Sequence, residues 1–142
     1  MEPVFLTLDE VLALHSDQIR RYGGSPGIRD RGLLSSALGT PSATIGGAFL
    51  HQSLFEMAGA YLFHIAQNHP FVDGNTKTAL AASLTFLLMN DAEIDSSEDD
   101  LTDLVLGVAG GRITKSEVAV LSTEARRRTE VVRDKFAQSA KS

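Results

Sequence analysis

The segment from Asn75 to Met89 constrains this chain more than any other. Leu80, Ala81, Leu84, Leu87 and Leu88 recur in it at helical spacing, and Ala79, Ala82 and Phe86 fill its remaining sides. A helix apolar nearly all round belongs in a protein interior, covered by other helices. Its beginning then lies inside the domain as well. The first N–H groups of a helix have no partners within it, and they carry the positive end of its dipole. The residues that lead into those groups are His69-Pro70-Phe71-Val72-Asp73-Gly74.

Covering helices can be read on both sides. Thr7 to Arg21 is amphipathic, with Leu8, Val11, Leu12, His15 and Ile19 at helical spacing and a capping box from Thr7 to Glu10. Gly23-Gly24 ends it. A shorter helix begins at Asp30, turns Leu33, Leu34, Ala37 and Leu38 inward, and stops at Gly39 and Pro41. Pro41 to Leu50 has no helical period and reads as a loop or short hairpin, of a length that often carries function. Gln52 to Asn68 predicts a long helix with Leu54, Phe55, Ala58, Leu62, Ile65 and Ala66 inward. Beyond Asn90-Asp91, a short extended piece is expected near Glu93-Ile94, a helix from Ser97 to Gly110, and a last helix from Thr114. The expected architecture is all-α, a compact bundle built on the hairpin of the two central helices. One domain covers residues 1–123, and 124–142 is a polar helical extension or tail.

Composition limits the functions open to such a chain. A length of 142 residues and a hydrophobic fraction of 43% suit one domain with a real core. The formal net charge of -5 argues against a general nucleic-acid binder. There is no cysteine, hence no disulfide framework and no thiolate zinc site. The first residues do not read as a signal peptide, and no apolar stretch is long enough to span a membrane. These features predict a cytoplasmic protein with neither a membrane nor a nucleic-acid partner.

The loop before the buried helix is where chemistry concentrates. Gly74 lets backbone approach a ligand without a Cβ in the way. Lys77 adds a full positive charge in the first turn, and Thr76 and Thr78 add hydroxyls. A helix N-terminus furnished in this way suits a phosphate. Asp73 offers a hard oxygen ligand of the kind that shares magnesium with phosphate oxygens. Histidine at position 69 is a residue type that can take a proton from an attacking hydroxyl. Base, metal ligand and anion cradle within nine residues suit phosphoryl or nucleotidyl transfer. The same residue types also make an ordinary capped turn, with Asp73 or Asn75 as cap and His69 closing the preceding helix. Residue types alone leave both readings open. A P-loop is excluded, because Thr76 stands where glycine should precede the lysine and no strand leads in.

His69-Pro70-Phe71-Val72-Asp73-Gly74-Asn75 resembles the signature of the Fic/Doc (Fido) family, His-x-Phe-x-(Asp/Glu/Asn)-(Gly/Ala)-Asn-(Gly/Lys)-Arg. All five constrained positions up to Asn75 fit. The body of the chain resembles the death-on-curing (Doc) branch in Arg21-Tyr22-Gly23-Gly24-Ser25-Pro26-Gly27-Ile28-Arg29-Asp30, in Gly32-Leu33-Leu34, in Ala37-Leu38 and in Leu54-Phe55-Glu56. The likeness runs from about Leu6 to Leu121. It implies a small helical bundle with the motif between two central helices. His69 would be the general base and Asp73 the magnesium ligand. Gly74, Asn75, Thr76 and Lys77 would hold the phosphates of ATP, and Phe71 would anchor the loop. Thr40 to Leu50 would be a flap that aligns the target segment.

The Doc likeness further implies a toxin that moves the terminal phosphate of ATP to a hydroxyl of a translation factor, EF-Tu, and that a Phd-like antitoxin neutralises in trans. Most Fic enzymes instead transfer AMP to a protein hydroxyl. Two positions depart from the signature: Thr76 replaces Gly or Lys, and Lys77 replaces Arg. Arginine grips phosphate with a planar fork, whereas lysine is a point charge. The exchange keeps open a weakened enzyme or a pure binding protein. Self-inhibited Fic proteins carry (Ser/Thr)-x-x-x-Glu-(Gly/Asn), and no glutamate here is followed by Gly or Asn. Control is therefore expected from a separate chain.

Other polar residues have plainer readings. His15 and His64 read as helix-face histidines, and His51 lies beside the expected flap. Glu98, Asp99, Asp100 and Asp103 read as a solvated first turn, and Arg126 to Arg128 as a solvated tail.

Overall fold

The computed structural model describes residues 2–92. The expectations for 93–142, including the boundary at 123 and the helices from Ser97 and Thr114, lie outside the described residues.

Four helices and one two-stranded hairpin make up this region. Helix α1 (Leu8–Tyr22) starts with the expected capping box. Thr7 Oγ1 accepts the Glu10 N–H at 3.1 Å, and Glu10 Oε1 accepts the Thr7 N–H at 2.9 Å. Its covered stripe is narrower than the spacing implied. Val11 and His15 are buried, whereas Leu8 in the first turn is exposed. Helix α2 (Arg31–Gly39) is capped by Asp30, whose Oδ1 accepts the Leu33 N–H at 2.9 Å. It buries Leu34 and Ala37.

Strands β1 (Thr44–Ile45) and β2 (Ala48–Phe49) pair antiparallel in the register Thr44↔Phe49 and Ile45↔Ala48. Gly46 (φ 60°) and Gly47 (φ 83°) form the two-residue turn. Positive φ at both central positions is what a tight hairpin needs to match strand twist, and glycine adopts it freely. The segment expected to be a loop or hairpin is thus a hairpin.

Helix α3 (Leu54–Asn68) begins two residues later than the pattern suggested. Ser53 is the cap, accepting the Glu56 N–H at 3.1 Å, while Glu56 Oε2 accepts the Gln52 N–H at 2.9 Å and holds Gln52 outside the helix. Helix α3 is the central element, packed on α2 and on helix α4 (Asn75–Met89), which also packs on α1. Helix α4 is less enclosed than an all-round apolar pattern implies. It buries Thr78, Ala79, Ala82, Ser83, Phe86 and Leu87, a stripe with helical period. Among the described residues Leu80, Ala81 and Leu84 are partly covered and Leu88 is exposed. No helix of the described region is long and apolar enough to cross a membrane.

The N-terminal segment closes the end of the bundle away from the α3–α4 turn. Asn90 clamps the Val4 backbone through both ends of its carboxamide, at 2.8 and 2.9 Å. Phe5 stacks on Phe86 with centroids 5.7 Å apart. The buried Tyr61 hydroxyl accepts the Leu6 N–H at 3.0 Å. Burial pushes the Tyr61 phenol above its ordinary value, and the nearby negative charge of Glu10 adds to the effect while the Leu6 N–H opposes it. The folded state therefore binds this proton more tightly than the unfolded state does. Its contribution to stability is intact below the unfolded value of 10.0 and is lost as pH rises through the folded value. Tyr61→Phe leaves the Leu6 N–H unsatisfied and should cost about 1–3 kcal/mol in urea denaturation near neutrality. The same variant should lose less stability than wild type on going to strongly alkaline pH. An unchanged urea midpoint would show that the hydroxyl does not support Leu6.

Candidate active site

The loop between α3 and α4 begins with strain. His69 caps α3 in the left-handed region, at φ 47° and ψ 55°. That conformation is uncommon for a side-chain-bearing residue and further disfavoured before a proline, here Pro70. Arg29 compensates from the α1–α2 connection. Its Nε donates to the His69 carbonyl at 2.6 Å and an Nη donates to the Asn68 carbonyl at 2.9 Å. A cation placed on the last carbonyls of a helix also meets the negative end of its dipole. No described group hydrogen-bonds the exposed His69 imidazole.

Phe71 then turns inward and is 1% exposed. Its ring stacks on the buried His15 ring, with centroids 3.8 Å apart and planes 7° apart. Its backbone bridges to Ile28, flanked by the bonds Arg29 N–H to Pro70 O (2.7 Å) and Val72 N–H to Gly27 O (3.1 Å). The Asn75 carboxamide takes the Phe71 backbone at both ends. Its Oδ1 accepts the Phe71 N–H and its Nδ2 donates to the Phe71 carbonyl, each at 2.9 Å. The side chain of Asn75 is therefore a staple for the loop.

Asp73 follows, exposed, with its carbonyl 2.8 Å from His15 Nε2 and its Oδ2 accepting the Ser25 N–H at 2.8 Å. Gly24 lies against it so closely that a Cβ there would stand 3.1 Å from Asp73 Cβ. Gly74 caps α4 at φ 78° with no side-chain hydrogen bond to the first turn. The first bond of α4 runs from the Thr78 N–H to the Gly74 carbonyl at 2.9 Å, which leaves the amides of Asn75, Thr76 and Lys77 ahead of it. Lys77 Nζ lies over the Tyr22 ring, 4.2 Å from its centroid.

These residues surround a cleft of about 420 Å³. His69, Asp73, Gly74, Asn75, Thr76 and Lys77 all line it, joined by Tyr22, Gly23, Gln18 and Val72. The expected base, metal ligand and phosphate-holding residues are therefore all at this cleft. Thr78, expected to add a hydroxyl, is fully buried and does not line it. One helical turn beyond the cap carries it into the interior. His64, His51 and His15 are not at the cleft surface either, although His15 acts beneath it through Phe71 and Asp73.

Residues 5–87 match the family model described as the Fic/DOC family, more than half of the chain. The chain belongs to the Fic/Doc family. It is 39% identical over 111 residues to "Protein kinase doc" of Escherichia phage P1, spanning 78% of this chain and 86% of that protein. It is also 39% identical over 89 residues to "Toxin Doc" of Mycolicibacterium smegmatis, spanning 58% of this chain and 68% of that protein. Both relatives are Doc proteins, so the chain falls in the Doc branch, and the all-α bundle fits that family.

The Fic/Doc motif thus accounts for most of the cleft lining, but not for Gln18, Tyr22 and Gly23, nor for the contacts that hold the motif loop from outside. Tyr22, Gly24, Ser25 and Arg29 belong to a stretch that marked the Doc branch in the sequence without revealing any role. Their signal was spacing in space, not in sequence: 48 positions separate Ser25 from Asp73.

Asn75→Ala removes both bonds to Phe71 and should lower the unfolding free energy by about 1–3 kcal/mol. Asn75→Asp keeps the acceptor for the Phe71 N–H and should lose less. Urea denaturation of the three proteins checks the order. Equal stability of Asn75→Ala and wild type would show that the carboxamide does not hold the loop.

Proposed function

We propose that this chain is a Doc-type toxin, an enzyme that transfers the γ-phosphate of ATP to a hydroxyl of a protein substrate. The observation that supports this most is the meeting, in one cleft, of a histidine whose imidazole no described group hydrogen-bonds with the N-terminus of a helix that has no side-chain cap. The relatives named as a protein kinase and a toxin support the class of activity. The target hydroxyl belongs to a translation factor such as EF-Tu, a cytoplasmic substrate, and a Phd-like antitoxin supplies inhibition in trans.

Each residue has a task in that reaction. The amides of Asn75, Thr76 and Lys77 and the Lys77 ammonium hold the phosphates, where the helix dipole favours negative charge. Gly74 lets the phosphates approach the backbone. His69 accepts the proton of the target hydroxyl as its oxygen bonds to the γ-phosphorus. The bond from that phosphorus to the β–γ bridging oxygen breaks, and ADP leaves with the bridging oxygen. Asp73 suits magnesium, because its exposed carboxylate has one oxygen engaged by Ser25 and no described donor on the other. Among the described residues no cluster of three or more potential ligands gathers there, and magnesium sites that share substrate phosphates need only one or two carboxylates. When bound, the ion supplies charge neutralisation on the phosphates. The hairpin of β1 and β2 is the flap that aligns the target segment.

The test uses ATP labelled at either the α- or the γ-phosphate, a bacterial lysate, and the His69→Ala variant as control. His69-dependent transfer of γ-label is the expected result, with loss of at least about a hundredfold in the variant. Transfer of α-label instead would assign AMP transfer. Absence of both, from folded protein, would leave a binding protein, the outcome that the Thr76 and Lys77 exchanges keep open. Lys77→Arg should raise the rate if the missing fork limits it.

A further inference from the structure

Opposite charges that share a cleft tend to pair, and a paired cleft is of little use to a charged ligand. Asp73 and Lys77 lie four residues apart at the entry of α4 and line the same cleft. They are not paired. The ion pairs among the described residues join Asp17 to Arg20 and Arg21, within α1. Each of the two cleft charges is instead held by the end of α1 and the turn after it. Lys77 Nζ rests on the Tyr22 ring at 4.2 Å. Asp73 Oδ2 takes the Ser25 N–H at 2.8 Å. Gly23 (φ 84°) and Gly24 (φ 111°) lie between these two holders. A Cβ at Gly24 would stand 3.1 Å from Asp73 Cβ, so this turn lies close against the loop.

We propose that Tyr22 is a positioning residue that keeps the Lys77 ammonium off the Asp73 carboxylate, so that the cleft presents a separate cation to the phosphate groups of an anionic ligand. The proposal rests on the phosphate-binding reading of this cleft. Tyr22 is suited to the task because an aromatic face attracts an ammonium without neutralising it. A carboxylate in the same place would take up the charge that the ligand needs. Lysine has no planar fork to fix its direction, and the ring supplies that direction from outside. Tyr22 is 58% exposed and contributes little to the core, so its replacement leaves the fold testable.

Two measurements decide the matter. The first is the NMR shift of the Lys77 Cε protons, which a ring at this distance moves upfield. The upfield shift is expected in wild type and in Tyr22→Phe, and should vanish in Tyr22→Leu. An ordinary lysine shift in wild type overturns the proposal whether or not any nucleotide binds. The second is calorimetric affinity, in metal-free buffer, for tripolyphosphate and for ATP. Tyr22→Leu should weaken both by roughly two- to fivefold, the size of an exposed cation–π contact, and Tyr22→Phe should restore both. Adding Asp73→Asn to Tyr22→Leu should recover the loss, because the released ammonium then has no carboxylate to collapse on; a failure of that rescue overturns the charge-separation argument. Weakening of ATP alone, with tripolyphosphate unchanged, would mean that the ring stacks on the base, and would overturn the proposal too. If wild type binds neither probe, the phosphate-transfer reading fails, while the Lys77 shift still decides the contact.

Discussion

Phe71 is the aromatic side chain by which the motif loop joins the hydrophobic core, and the cleft depends on where it is held. Its ring lies flat on His15, its backbone is stapled at both ends by Asn75, and the α1–α2 connection runs beside it as a single bridge at Ile28. With that residue fixed, the chain two positions before and two positions after has little freedom. His69 and Asp73 sit at those positions, both exposed at the cleft. Burial of one aromatic side chain contributes on the order of 1.5–3 kcal/mol. The left-handed backbone at His69 costs about 1–3 kcal/mol. The two are comparable, so the ring and the Arg29 hydrogen bonds together are sufficient to maintain the strained turn, while neither is generous alone.

The sequence showed the helices because their apolar positions repeat and their caps are local. Thr7 with Glu10, Asp30 with Leu33 and Ser53 with Glu56 each involve residues three apart, a distance that can be read along the chain. The errors came from packing, which cannot be read this way. Leu8 and Leu88 carry the right spacing for burial and are exposed, because coverage depends on which neighbour lies opposite. Gln52 is a miss of another kind, a local one: Ser53 takes the cap and the Gln52 N–H goes to Glu56 Oε2, which shortens the helix at its start. The cleft divides along the same line. His69, Asp73, Gly74 and Lys77 are contiguous and were legible as a group. Tyr22, Ser25 and Arg29 contribute through contacts spanning 39 positions or more, and a single chain read without relatives offers no signal for such pairs. Asn75 is the intermediate case. Its place at the cleft was legible, but only the geometry shows that its side chain is engaged by Phe71.

The segment from Tyr22 to Arg29, which is the last residue of α1 followed by the α1–α2 connection, emerges as the second half of the site. It contributes no residue with obvious chemistry, yet it fixes three things. Arg29 holds the end of α3, Ser25 holds the Asp73 carboxylate, and Tyr22 holds Lys77. Conformations that only glycine adopts easily let this segment lie flat on the motif loop, as at Gly24, where a Cβ would press on Asp73 Cβ and Ile19. A segment whose value lies in close approach leaves a trace of glycines and a proline, which reads as an ordinary turn.

The start of α4 runs against the rules that the other three described helices obey. Helices α1, α2 and α3 each have a side-chain cap, and α1 and α3 also place acidic residues in their first turns. Helix α4 has no side-chain cap, no acidic residue in its first turn, and a lysine there instead. A cation at the positive end of the dipole costs about 0.3–1 kcal/mol, and a missing cap costs about 0.5–2 kcal/mol more. Two unfavourable choices at one helix end would be poor construction if the end stayed bare. Both would be relieved by one event, the arrival of an anion that accepts hydrogen bonds from the first-turn amides and meets the ammonium. The deficit is local, it lies in the cleft that holds His69, and a phosphate has the charge and the oxygens to fill it. Backbone amides are directional donors, so they can orient a phosphate while Lys77 supplies charge. In such an arrangement the loss of the arginine fork removes less than it would from a site that relied on side chains alone.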